Sequence, residues 1–232
     1  MNLKLLILVF LMLSSGIFYY QLTGNATIET TNGYIYRVID GDTLELDSGQ
    51  KLRLKGINTP EKSMPFYQEA TEFTRQLIEN KSVKIESHGR DKYGRILSYI
   101  FLNNQNINSE ILAEGLGALY YYEEDKHYEE LKQAEEFARL SQKGFWKKSP
   151  NANCLELIEL KTDEPEKLIL QNNCNKKLEI IFKDDATHIY HATLDPNSVF
   201  TKEFSHIWNN AGDSIYISDD KGLLIFYRYT LP

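Results

Sequence analysis

The chain opens on an unbroken apolar run and then turns to short alternations of apolar and polar residues. Lys4 precedes Leu5–Leu13, a stretch without a single polar side chain, and apolar residues resume through Leu22. Residues 23–32 are small and polar, as in a tether. Strand-like alternation then covers Tyr34–Ile39, Thr43–Asp47 and Lys51–Ile57, the last two joined by the hairpin loop Asp47-Ser48-Gly49-Gln50. A helix is predicted over Pro65–Glu79, where Phe66, Ala70, Phe73 and Leu77 share one face. Strands at Ser82–Ser87 and Ile96–Leu102 follow. Two more helices are predicted, Asn108–Glu114 stopped by Gly115 and Lys126–Gln142 stopped by Gly144. This order over residues 33–149 predicts one α+β domain. Beyond a boundary near Pro150 only strand patterns remain, from Leu155–Lys161 to Leu223–Tyr229, which predicts an all-β sandwich over residues 150–232.

The amino-terminal run changes the expected location of the rest. A basic start and a short apolar core fit a secretory signal, and Leu5–Leu22 is also just long enough for a thin membrane-spanning helix. Residues 1–22 are therefore expected to be either a cleaved signal or an uncleaved membrane anchor. Either reading, followed by the linker at 23–32, places the remainder outside the cytoplasm, secreted or anchored. The formal net charge is −7, which argues against a passive polyanion clamp but not against an enzyme that turns its substrate over. Residues 33–149 carry 17 Lys and Arg against 19 Asp and Glu, and residues 150–232 carry 8 against 13, so the second part is the more acidic.

The only cysteines, Cys154 and Cys174, both lie in that second part. An antiparallel hairpin centred on Glu164 would set them opposite each other, with Cα atoms about 4.5–5.5 Å apart, within disulfide range. Export favours the bridge. A register slip of one residue would separate the sulfurs, and two reduced buried cysteines are the alternative.

Three polar segments could carry chemistry. Ile39-Asp40-Gly41-Asp42-Thr43 sets two carboxylates at a turn, where both can face one hard cation, although most Asp-Gly turns bind nothing. Arg53 stands in a strand pattern, where a guanidinium needs a partner or an opening, and Asn58-Thr59-Pro60-Glu61 follows at its end. Arg90-Asp91-Lys92-Tyr93-Gly94-Arg95 reads as a charged hairpin tip, more often a solvated loop than a site. The histidines offer no convincing metal pair: His188 and His191 point to opposite faces of a strand pattern, and His88, His127 and His206 are isolated.

In this order the three segments, with the later Glu114-Gly-Leu-Gly-Ala and Lys143-Gly-Phe-Trp, resemble the thermonuclease (staphylococcal-nuclease-like) family over about residues 33–149. The resemblance implies a five-stranded OB-fold barrel with three helices, and hydrolysis of phosphodiesters in DNA and RNA with one calcium ion. By position it implies Asp42 and the Thr59 carbonyl as calcium ligands, with Asp40 in support. It further implies Glu61 as the group that orients or deprotonates the attacking water, and Arg53 and Arg95 as phosphate-binding catalytic residues. Lys92 and Tyr121 fall where the family contacts the nucleotide. Asn58 departs from the pattern, which has an aspartate ligand there; an amide oxygen still suits calcium but carries no charge, so a weakened site is expected.

A second resemblance lies behind the first. Phe204-Ser-His-Ile-Trp208-Asn-Asn-Ala-Gly-Asp213, followed by Asp220-Lys-Gly222, looks like the lamin-tail fold, an immunoglobulin-like sandwich with Trp208 in its core. It names no ligand. The expectation is thus an exported, monomeric, calcium-dependent nuclease. The competing readings are a weak or inactive OB-fold module that only binds nucleic acid or protein, and a surface adhesion module.

Overall fold

The computed structural model describes residues 29–121, 125–186, 188–209 and 212–230. The expected signal or anchor at 1–22 lies outside the described residues, as does the first part of the expected linker. Among the described residues no helix is long and apolar enough to cross a membrane.

Five strands close a barrel. β1 (Glu29–Val38) pairs antiparallel with β2 (Thr43–Leu46) and with β5 (Ser82–Arg90). β2 pairs with β3 (Lys51–Leu54), β5 pairs with β6 (Ile96–Leu102), and a parallel β3–β6 pairing completes the ring. Period-two alternation drives the closure, since Leu44 and Leu46 on β2 and Leu52 and Leu54 on β3 all turn into the barrel with Ile35, Val38, Val83 and Ile100. Three helices cap this core: α1 (Tyr67–Ile78), α2 (Ile107–Ala113) and α3 (Tyr128–Leu140), which bury Ala70, Ile78, Ile111, Leu112 and Leu131. The expected barrel with three helices is the observed one.

Several boundaries differ from the sequence expectation. β1 begins at Glu29, inside the segment read as a tether, because Glu29–Asn32 pair through their backbones with β5 although their side chains are exposed. α1 begins at Tyr67 rather than Pro65, because Phe66 takes a left-handed conformation with φ of 68°. The strand expected over Lys51–Ile57 breaks at Gly56, after which β4 (Ile57–Asn58) leaves the barrel to pair with β8 (Ala118–Leu119). A short β7 (Gln105–Asn106) precedes α2, with the Asn106 side chain accepting from the Asn108 backbone as a cap.

Beyond two 3₁₀ turns, at Gly144–Trp146 and Ala152–Cys154, two antiparallel sheets face a second core. One holds β9 (Leu155–Lys161), β10 (Glu166–Asn172) and β13 (Val199–Phe204). The other holds β11 (Leu178–Lys183), β12 (Ile189–Leu194), β14 (Gly212–Asp219) and β15 (Gly222–Thr230). Leu168, Leu170, Ile180, Phe182, Ile215, Ile217 and Trp208 fill the space between them.

Cys154 and Cys174 form a disulfide with a Cα separation of 5.0 Å. The register that suggested it holds only near the turn, at Lys167↔Lys161, Leu168↔Leu160 and Ile169↔Glu159. A bulge then shifts the ladder by one residue, to Leu170↔Leu157. The bridge forms nonetheless because both cysteines lie outside the ladder, Cys154 in a 3₁₀ turn and Cys174 beyond the end of β10.

The two parts meet along a dry seam. Trp146 and Ala138 of the barrel side pack with Tyr216, Leu223 and Phe226 of the sheets. The backbone continues the contact: Leu223 N donates to Lys147 O at 2.8 Å and Ser149 N to Leu223 O at 2.8 Å. Gly222 is required here, because a Cβ would come within 2.4 Å of the Lys147 carbonyl oxygen. Arg228 on β15 donates two hydrogen bonds to buried Glu135 on α3, at 2.6 and 3.0 Å.

Candidate active site

The turn between β1 and β2 is built to hold Asp42 in place. Ile39 N and Asp40 N donate to Thr43 O, and Asp40 Oδ1 accepts from Asp42 N at 3.1 Å. Thr74 on α1 fastens the turn from behind, its hydroxyl donating to Gly41 O at 2.9 Å. Gly41 is needed because a Cβ would lie 2.7 Å from Thr59 Oγ1. That close approach brings the β4 segment onto Asp42. Thr59 N and Thr59 Oγ1 both donate to Asp42 Oδ2, at 2.8 and 3.0 Å.

Asp42 Oδ1 accepts from Thr43 Oγ1 at 3.2 Å and lies 3.2 Å from Arg53 Nε. The carboxylate thus accepts three hydrogen bonds and forms one ion pair within the protein. Arg53 is itself buried, 9% exposed, with its remaining donors on the carbonyls of Leu54 and Ile57 and on Asn58 Oδ1 at 3.0 Å. These partners explain how a buried guanidinium is held on the strand face opposite the barrel core, and they leave one NH2 hydrogen without an acceptor among the described residues.

Arg95 enters from the β5–β6 hairpin. Its Nε donates to Asp91 Oδ2 at 2.7 Å and its NH1 to Thr43 Oγ1 at 3.3 Å. Asp91, which the sequence reading left without a role, anchors this arginine. Burial would raise the Asp91 carboxyl, but donors from Arg95 and from the Tyr93 backbone outweigh it and hold the group below the ordinary carboxylate range. Asp40 shifts the other way, raised by burial and by the adjacent Asp42 charge. One polar line thus runs from Asp91 through Arg95, Thr43, Asp42 and Arg53 to Asn58. Glu61 stands just beyond, half-buried in a turn closed by Met64 N donating to Glu61 O at 2.7 Å; its carboxylate has no hydrogen-bond partner among the described residues.

The structure does not bring every expected residue to this line. Lys92 is exposed at the hairpin tip, its Nζ 5.1 Å from the Tyr93 ring centre. Tyr121 packs beside Gly56 and α3, and its hydroxyl bonds Tyr99 Oη at 2.8 Å. Burial, with Asp125 close by, pushes that phenol well above its ordinary value. His88 and His127, which looked isolated, meet on Glu86 Oε1 at 2.8 and 3.1 Å, and Lys126 takes the other oxygen at 2.8 Å. Burial opposes the Glu86 charge, yet these donors overcome it and lower its pKa to about 2. The group cross-links β5 to the start of α3 and stands apart from the polar line.

The largest omission is the contribution of the carboxy-terminal sheets. Asn58 Nδ2 donates to Asp185 O at 2.9 Å, in the loop after β11. Asp185 is fixed by Tyr216 Oη at 2.7 Å and Ser214 Oγ at 3.0 Å, and burial raises its pKa to about 6. An aspartate at position 58 could not donate to that carbonyl. Asparagine here therefore joins the two parts of the molecule. The only signal in the sequence was the charged triplet Lys183-Asp184-Asp185 at the end of a strand pattern.

Among the described residues no three His, Cys, Asp or Glu side chains are grouped to hold a metal ion. The oxygen-bearing groups expected at the site, the carboxylates of Asp40 and Asp42, the Asn58 amide and the Thr59 carbonyl, are nevertheless hard donors. That set suits calcium in kind.

A closed barrel carrying two arginines, an aspartate-bearing turn and a free carboxylate on the next loop defines the class, and the comparisons specify it. Residues 51–148 match the family described as Staphylococcal nuclease homologue. The thermonuclease of Staphylococcus hyicus is 33% identical over 147 residues, covering 58% of this chain and 86% of that protein. The thermonuclease of Staphylococcus intermedius is 33% identical over 126 residues, 49% of this chain and 75% of that protein. An uncharacterized endonuclease of Haemophilus influenzae is 31% identical over 141 residues, 59% and 78% respectively. The chain belongs to the staphylococcal nuclease family.

Proposed function

We propose that the protein is a calcium-dependent nuclease that hydrolyses phosphodiester bonds of DNA and RNA outside the cytoplasm. The observation that carries this reading is the line Arg95–Thr43–Asp42–Arg53 with the unpartnered Glu61 carboxylate on the adjoining loop. A phosphodiester carries one negative charge and gains more as water adds to phosphorus. Arg53 and Arg95 bring fixed, planar donors to those oxygens, held by Asp42 and Asp91, so little reorganisation is needed during reaction. Glu61 accepts the proton of the attacking water. Asp40, Asp42, Asn58 and Thr59 would supply the oxygens that hold calcium. The bound ion supplies charge neutralisation beside the phosphate.

The Cys154–Cys174 disulfide supports an oxidising, extracytoplasmic setting, with residues 5–22 as signal or anchor. Two sheets closing on Trp208 support a lamin-tail-like, immunoglobulin-like second domain. The test is cleavage of single-stranded DNA and RNA by the full chain with calcium and with chelator. Glu61→Gln and Arg95→Ala are each expected to lose roughly 10²-fold or more in rate, and the unaltered protein to lose activity in chelator. Undiminished cleavage by both variants would overturn the assignment.

A further inference from the structure

Between the barrel and the carboxy-terminal sheets lies a cavity of about 210 Å³. One wall is the catalytic segment itself, Asn58, Thr59 and Pro60, with Phe66 beside it. The opposite wall is Lys183 and Tyr216. We propose that this cavity is a subsite for the nucleotide next to the scissile phosphodiester, with Lys183 as the contact for its phosphate. The proposal rests on the nuclease reading and extends it to a substrate-binding residue outside the family barrel.

Four observations support it. First, position: the wall contains Asn58, whose Oδ1 accepts from Arg53 NH2 at 3.0 Å, and ends at Pro60, one residue before Glu61, so the cavity adjoins that arginine and that carboxylate. Second, charge: Lys183 is half-buried at the end of β11, its Nζ 5.6 Å from the Tyr216 ring centre, and it forms no ion pair among the described residues. Burial works against its ammonium, and the carboxylates acting on it from both sides of the seam are Asp184, Asp185, Glu61 and Asp42. A desolvated cation with no salt-bridge partner gains most from an arriving anion.

Third, the two acidic residues of the cavity wall, Asp219 and Asp220, form no ion pair with that cation. Asp219 is buried, and its oxygens already accept from Ser149 Oγ, Asn151 Nδ2 and the backbone N–H groups of Lys221 and Gly222, at 2.8–3.0 Å. Asp220 is exposed at the β14–β15 turn. Fourth, lining: the half-buried Phe66 side chain lies in the same wall as Pro60, and an aromatic ring is a group on which a base of any kind can stack.

The test uses the full chain carrying Glu61→Gln, with chelator present so that the slowed variant does not consume the probe, and measures binding of a fluorescent single-stranded DNA oligomer by anisotropy across a salt series. Lys183→Met keeps the apolar stem and removes the charge. It is expected to weaken binding about tenfold or more and to reduce the salt slope by about 0.7, the value for one phosphate contact on a single strand. Lys183→Arg is expected to restore most of both. An unchanged affinity and slope in Lys183→Met, with an unaltered circular dichroism spectrum and melting temperature, would overturn the proposal. Tighter binding would overturn it too, since Lys183 would then belong to a cap over the site. Cleavage by the protein with Glu61 intact is measured separately. Cleavage together with no effect at Lys183 sinks this subsite alone, whereas absence of cleavage sinks the nuclease reading while the binding arm still reports on Lys183.

Discussion

The Arg228–Glu135 pair gives the sharpest test of how the two parts are held. Glu135 is 4% exposed, and one of its oxygens also accepts from Leu119 N at 2.7 Å. Arg228 meets both carboxylate oxygens and in addition donates to Ser214 Oγ at 2.8 Å and Tyr216 Oη at 3.2 Å. Arg228→Ala strands a buried carboxylate, a change that generally costs about 3–5 kcal/mol. The Arg228 side chain is 27% exposed, so water enters where the guanidinium was, and Glu135 keeps the Leu119 N–H; about 2–4 kcal/mol is the expected loss. For a protein of this size that lowers the melting temperature by roughly 5–15 °C. Urea unfolding followed by tryptophan fluorescence suits the question, because Trp146 lies at the seam and Trp208 in the second core. Arg228→Met with Glu135→Leu removes both charges and is expected to cost less than the two single changes added together. A loss below about 0.5 kcal/mol for Arg228→Ala would place the pair with ordinary surface ion pairs and refute the reasoning.

Two further perturbations follow. Asn58→Asp restores a charged oxygen ligand and is expected to lower the calcium concentration for half-maximal cleavage, while costing about 1–3 kcal/mol because the Asp185 carbonyl loses its donor; an unaltered urea midpoint would show that the amide does not hold that loop. Reducing the Cys154–Cys174 bridge, which spans 20 residues, is expected to destabilise the carboxy-terminal sheets by about 3 kcal/mol in the chain-entropy picture; denaturation that is indifferent to reductant would contradict it.

What could be read from the sequence was local. Alternation at Leu44, Leu46, Leu52 and Leu54 determines a hairpin whichever partner it finds, and the Asp40–Thr43 and Arg90–Arg95 segments carry their own turn chemistry. Asp91 and Arg95 sit four residues apart, so that anchor was within reach of a closer reading. The features that escaped depend on distant backbone. Glu29–Asn32 look like a tether because nothing in four polar side chains announces a β5 partner. Gly56 breaks a strand only because β8 draws Ile57 and Asn58 away. The Asn58 amide meets its carbonyl across 127 residues and Arg228 meets Glu135 across 93, and no periodicity encodes such meetings. Asn58 is the instructive case: beside the family pattern it looks like a lost ligand, and in the folded chain it is a donor with a partner.

The Glu135–Arg228 contact also imposes an order of events during synthesis. Chains emerge at roughly 5–20 residues per second, so α3 is exposed about 5–20 s before the arginine that completes it, 93 residues downstream. In that interval the barrel can close around Ile35, Leu52 and Ile100 but holds the Glu135 carboxylate without its cation. The nascent barrel is thus a less stable body than the finished one.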